Sequence, residues 1–76
     1  MNTQDLTVLD QAIKEWIDKA SYVDLLRRWR FGPVGDLATM GANGTYFANE
    51  MAARRLRDPS AHVAASKAIG WEMHQP

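Results

Sequence analysis

The chain has 76 residues, no cysteine and no net charge. It is one domain at most, and a domain of this size buries only about 60% of the surface its unfolded chain exposes. Disulfides and thiolate metal sites are excluded, which leaves oligomerisation as the expected remedy for a small core.

Charge is unevenly placed. Residues 1–24 hold five acids against two lysines, residues 25–57 six arginines against Asp36 and Glu50, and residues 58–76 Lys67 against Asp58 and Glu72. A neutral chain with one arginine-rich stretch suits a compact anion better than a long polyanion, so no nucleic-acid polymer is expected as partner. The first twenty residues carry Asp5, Asp10, Lys14, Glu15, Asp18 and Lys19 with no apolar run, so no secretory leader is expected. The uncharged stretch Leu37 to Asn49 is too polar to span a bilayer, and a soluble, cytoplasmic protein is expected.

In chain order, Asn2 with Asp5 predicts a helix start. Leu6, Leu9, Ile13, Trp16, Ile17 and Ala20 then recur at helical spacing, for about four turns. Ser21 with Asp24 repeats the capping pattern and opens a second helix over Tyr22–Arg30, its apolar face formed by Tyr22, Leu25, Leu26 and Trp29. Asp24 and Arg28 are spaced as an i,i+4 ion pair. Gly32-Pro33 ends that helix.

Leu37 to Gly44 has room for one helical turn, with Asn43-Gly44 as a tight turn or the lead into the next helix. A third helix is predicted over Thr45–Arg57, with Phe47, Ala48, Met51, Ala52 and Leu56 inward and Glu50 paired with Arg54. Asp58-Pro59 starts a fourth, Pro59–Ile69, closed by Gly70 as the residue after the cap, with Trp71 folded back on the last turn and 73–76 frayed. The predicted fold is all-α: a bundle of about four short helices, oligomeric, in a single domain.

No nucleophile–base pair, carboxylate pair or metal cluster is visible. His62 and His74 stand apart, and Gly41-Ala42-Asn43-Gly44 lacks the Lys-Ser/Thr of a phosphate-binding loop. Neither catalysis nor a cofactor is expected. The chemistry lies in Arg27-Arg28-Trp29-Arg30-Phe31, because guanidinium groups grip phosphate oxygens in pairs while an aromatic plane stacks on a base. Ser66, Lys67 and Trp71 offer the same combination at the end of the fourth helix. For each residue alone a structural role is the commoner one: Trp29 in the core, Arg28 on Asp24, and Arg54, Arg55 and Arg57 where a helix C-terminus favours cations.

Leu25-Leu26-Arg27-Arg28-Trp29-Arg30-Phe31, then Gly35-Asp36, Tyr46, Met51 and Ser66-Lys67-x-Ile69-Gly70-Trp71, resembles a family of small proteins encoded by tailed bacteriophages, over roughly residues 21–71. That family is similar to the phage anti-CBASS sponges, helical homo-oligomers that sequester cyclic dinucleotides and so silence a host defence without chemistry. The resemblance implies a cyclic dinucleotide ligand such as cyclic GMP-AMP in the host cell cytoplasm. It implies a site in which Arg28, Arg30 and Lys67 hold the phosphates, Tyr46 and Trp71 wall the bases, and Asp36 or Ser66 reads a base edge. One departure is Leu37-Ala38-Thr39-Met40, where the pattern has an aromatic after Gly-Asp. The competing reading is a protein-interaction module with Trp16, Trp29 and Trp71 among its anchors.

Overall fold

The computed structural model describes residues 6–73, and side chains as far as Trp71. Its described residues form four α-helices and one 3-10 turn, with no strand.

The first helix, α1 (Gln11–Lys19), begins at Asp10, whose carboxylate accepts from the backbone N–H groups of Ala12 (2.9 Å) and Ile13 (3.2 Å). This corrects the longer helix expected from Asn2. Residues 2–5 lie outside the described part, and Leu6 to Val8 form a turn and bend. The physical reason is that this segment bonds to a distant helix instead of to itself: the Leu6 carbonyl accepts from Ala42 N–H (2.7 Å), and Asp10 N–H donates to Asn43 Oδ1 (2.8 Å).

Ser21 caps α2 (Tyr22–Phe31) by accepting from Asp24 N–H at 3.2 Å, and Gly32 with Pro33 ends it as expected. The expected Asp24–Arg28 pair does not form. Asp24 takes Arg27 at 2.7 Å, which leaves Arg28 free to reach Asp36 beyond the turn. That turn closes through Asp36 N–H to the Pro33 carbonyl (3.1 Å) and needs Gly35 at φ +84°. The Asp36 carboxylate then caps the 3-10 turn Leu37–Thr39 by accepting from Ala38 N–H at 3.1 Å.

Helix α3 (Gly41–Arg57) starts four residues earlier than predicted. Met40 offers no capping side chain, and the Leu6 carbonyl takes its place over Ala42. Asn43, 1% exposed, bonds through both of its side-chain polar atoms: Oδ1 accepts from Asp10 N–H and Nδ2 donates to the Leu37 carbonyl (3.1 Å). Asp58 opens α4 (Pro59–Met73), its carboxylate accepting from Ala61 N–H and Ser60 Oγ–H. This helix passes straight through Gly70, so Gly70 is no terminator and Trp71 lies on the helix, 69% exposed. Met73, expected to fray, is still helical, and 74–76 with His74 lie outside the described residues.

The core is Ile17, Tyr22, Leu25, Leu26, Ala38, Phe47, Met51, Ala65 and Ile69. Phe47 is fully buried between Trp16 and Trp29, with ring centroids 6.2 and 5.2 Å away. Ala48, Ala52 and Leu56, expected inward, are exposed, because α3 turns the face of Asn43, Phe47 and Met51 to the core. The α2 and α4 helices run in the same sense, Tyr22 meeting His62 at their starts and Arg30 meeting Ser66 farther along. The molecule measures 43 × 32 × 16 Å, and its short dimension is only about one and a half helix diameters. No helix among the described residues is long and apolar enough to cross a membrane.

Candidate functional site

Six arginines lie between residues 25 and 57, and the structure divides them sharply. Arg27 pairs with Asp24. Arg28 donates two bonds to Asp36, Nε to Oδ2 at 2.7 Å and Nη2 to Oδ1 at 2.8 Å, while its guanidinium stacks 4.6 Å from the Trp16 ring centre. Arg54 pairs with Glu50 at 3.1 Å and also donates to the carbonyls of Ile17, Asp18 and Ala20; Arg57 lies 3.6 Å from the same glutamate. Among the described residues, Arg30 and Arg55 alone of the six have no acidic partner.

These two converge. Arg55 lines a groove of about 460 Å³ between α3 and α4, walled by Ala52, Leu56, Pro59 and His62. A smaller hollow of about 160 Å³ shares Ala52 and Arg55 and extends to Trp29, Ala48 and Met51. Arg30 Nη1 donates to Ser66 Oγ at 3.2 Å on the neighbouring α2–α4 seam. The Tyr22 hydroxyl, 2.7 Å from His62 Nδ1, reports both charges: burial pushes its ionisation up, and the Arg55 and Arg30 guanidiniums pull it partly back. A concave, mostly apolar wall with an indole at one end and two unpaired cations nearby has the composition of a small-molecule site. The larger groove's volume falls within the range of roughly 300–1,000 Å³ such sites occupy.

The residues expected to bind ligand fall into separate places. Arg30 and Ser66 are brought together on the α2–α4 seam, and neither lines the groove. Arg28 and Asp36 are brought together as well, but onto each other: the Arg28 guanidinium holds the Asp36 carboxyl below the usual range, helped by the Ala38 N–H, and Asp36 in turn raises Arg28. Tyr46 lies on the α1–α3 seam, where its hydroxyl donates to Asp18 and Lys14 sits 5.5 Å over its ring. The Asp18 acceptor raises Tyr46, and Lys14 with Tyr46 lowers Asp18. Tyr46 and Ala48 are two positions apart, about 200° around the helix, so Tyr46 faces away from the groove. Lys67 and Trp71 stand one turn apart on the exposed side of α4 and do not line it.

Sequence reasoning missed Arg55, Tyr22 and His62 as site residues, and left Trp29 open between the core and an exposed anchor; it is 43% exposed. A signal for Arg55 was present: Glu50 satisfies Arg54 at i+4 and lies within reach of Arg57, which leaves Arg55 over. Nothing in the sequence couples Tyr22 to His62, 40 positions away. Among the described residues no three metal-ligating side chains lie together. Compared with protein-family models, curated proteins and solved structures, the chain matches none.

Proposed function

We propose that this chain is a sponge: a homo-oligomeric binding protein that sequesters a cyclic dinucleotide such as cyclic GMP-AMP in the host cytoplasm, withholding the signal from anti-phage CBASS defence without turning it over. The observation that supports this reading is Arg55, an arginine with no acidic partner, shared by two adjoining hollows of which one reaches Trp29, with Arg30, also without an acidic partner, on the neighbouring α2–α4 seam. A cyclic dinucleotide carries two phosphodiester charges and two purine faces. Two guanidiniums and an indole answer that combination, whereas a salt-bridged arginine would have to break its pair first. Homo-oligomerisation is supported by the thinness of the molecule and by large apolar side chains left in solvent, among them Val34, Leu56 and Trp71 at 107%, 85% and 69% exposure.

Calorimetry with a panel of cyclic dinucleotides tests the proposal. At least one should bind with a Kd of about 1 µM or tighter, corresponding to roughly −8 kcal/mol, and be released intact on heating. No binding to any of them, or release of a cleaved product, refutes it. The exposure of Trp71 favours a second reading, a docking surface for a host protein, and in that case a partner captured from lysate should be insensitive to added cyclic dinucleotide.

A further inference from the structure

The Tyr22–His62 contact is more specific than a packing contact between α2 and α4. The rings meet edge to face, with centroids 5.6 Å apart and planes at 74°, and the hydroxyl lies 2.7 Å from Nδ1. Tyr22 is 9% exposed, and its burial favours the protonated phenol. When the imidazole is neutral, that O–H donates to Nδ1, so the ring's own proton sits on Nε2. Nε2 has no partner among the described residues, and His62 forms the wall of the groove opposite Arg55.

We infer that His62 is a ligand-contacting residue whose Nε2–H donates to a phosphate oxygen held by Arg55, with Tyr22 as the positioning residue that fixes the tautomer and the ring. This rests on the nucleotide-binding reading above and adds the orientation of the ligand: phosphate toward the His62 end, base toward Trp29. A phosphate oxygen is charged and only accepts, so it matches a fixed N–H facing a guanidinium at the His62 end, while the indole at the Trp29 end supplies the plane on which a base stacks. Ser66, one turn beyond His62 on α4, accepts from Arg30 on the same α2–α4 seam.

The test is calorimetry with 3′,3′-cyclic GMP-AMP on wild type, His62→Phe, His62→Gln, Tyr22→Phe and Arg55→Met, alongside the melting temperature of each. His62→Phe keeps a ring against Tyr22 and should weaken binding about 10-fold or more, the cost of one charge-assisted hydrogen bond. His62→Gln, whose amide N–H can occupy the Nε2 position, should restore affinity to within about threefold of wild type, and Tyr22→Phe should fall between them. Rescue by Gln but not Phe supports a donor role, which a mere staple between helices would not show. If both histidine variants bind like wild type while Arg55→Met does not, this inference fails and the sponge reading stands. If both histidine variants lose affinity only in step with their melting temperatures, the inference fails in favour of a structural contact. If wild type itself binds nothing, the sponge reading falls first and takes the inference with it.

Discussion

Arg54 and Arg55 are adjacent in sequence and face opposite tasks, so replacing each with alanine should give opposite phenotypes. Arg54 is only 18% exposed and crosses from α3 to the end of α1, where its guanidinium donates to the carbonyls of Ala20 (2.5 Å), Ile17 (3.0 Å) and Asp18 (3.2 Å). These are the acceptors that a helix leaves unsatisfied at its C-terminus. A hydrogen bond from a charged donor is worth about 1.5–3 kcal/mol, and a cation at a helix end adds roughly 0.3–1 kcal/mol. Three such bonds from one group are not additive, and water replaces some of them after truncation. Arg54→Ala should therefore cost about 2–4 kcal/mol, against a total of roughly 4–11 kcal/mol for a domain this long. At about 4–8 °C per kcal/mol, its melting temperature should fall by roughly 10–30 °C. Arg55 is exposed with no acidic partner, so Arg55→Ala should stay within about 0.5 kcal/mol of wild type yet lose ligand affinity about 10-fold or more. Thermal unfolding followed by circular dichroism at 222 nm, together with calorimetric titration, reads both quantities. If Arg55→Ala melts as early as Arg54→Ala, or if Arg54→Ala melts within a few degrees of wild type, the division of the arginines described above is wrong.

Acid should attack the Arg28–Asp36 pair. Because the Arg28 bond lowers the folded-state ionisation of Asp36, its contribution is complete above the ordinary aspartate value of about 3.9 and is lost as pH falls through that value toward the lower folded one. Asp36→Asn should be about 2–3 kcal/mol less stable than wild type in urea at pH 7, and the gap should narrow at pH 3; an unchanged gap contradicts the assignment. Gly41 and Gly70 should respond in opposite directions to alanine. At Gly41 the backbone is at φ +56° and an added Cβ would stand 2.2 Å from the Leu6 carbonyl oxygen, so a loss of about 2–3 kcal/mol is expected, with faster amide exchange at Ala42. At Gly70 nothing lies within 4 Å of the added carbon and the helix continues, so alanine should stabilise by up to about 1 kcal/mol; destabilisation there would contradict the unbroken helix.

The all-helical fold and the span of α2 were legible because their signals are local. Ser21 bonds the N–H of Asp24, and Gly32-Pro33 removes the means of continuing. The start of α3 was not legible, since Gly41 to Gly44 reads as a turn by composition and becomes helix only through tertiary bonds: Leu6 to Ala42, and Asn43 to Asp10 and Leu37. Gly70 shows the reverse error, a residue with a terminator's composition and no geometry calling on it. In the site, Arg30 and Ser66 were singled out from separate segments and the fold sets them within hydrogen-bond reach. The fate of Arg28 depended on which of two aspartates it would find, and i,i+4 spacing favoured Asp24 where the chain reversal after Pro33 delivers Asp36. Tyr22 with His62, the contact between helix starts 40 residues apart, has no sequence signature at all.

The walls of the groove come from the end of α2, the second half of α3 and the start of α4, segments that share no common surface once the chain unfolds. Occupancy and folding are thereby linked: a molecule seated there binds the native chain only, and at 100 times its Kd adds about 2.7 kcal/mol to stability. For a domain with so small a reserve, saturation would raise the melting point by an easily measured amount. A bound ligand would then also protect the chain from unfolding and proteolysis, so the loaded form should outlast the empty one in a protease digest.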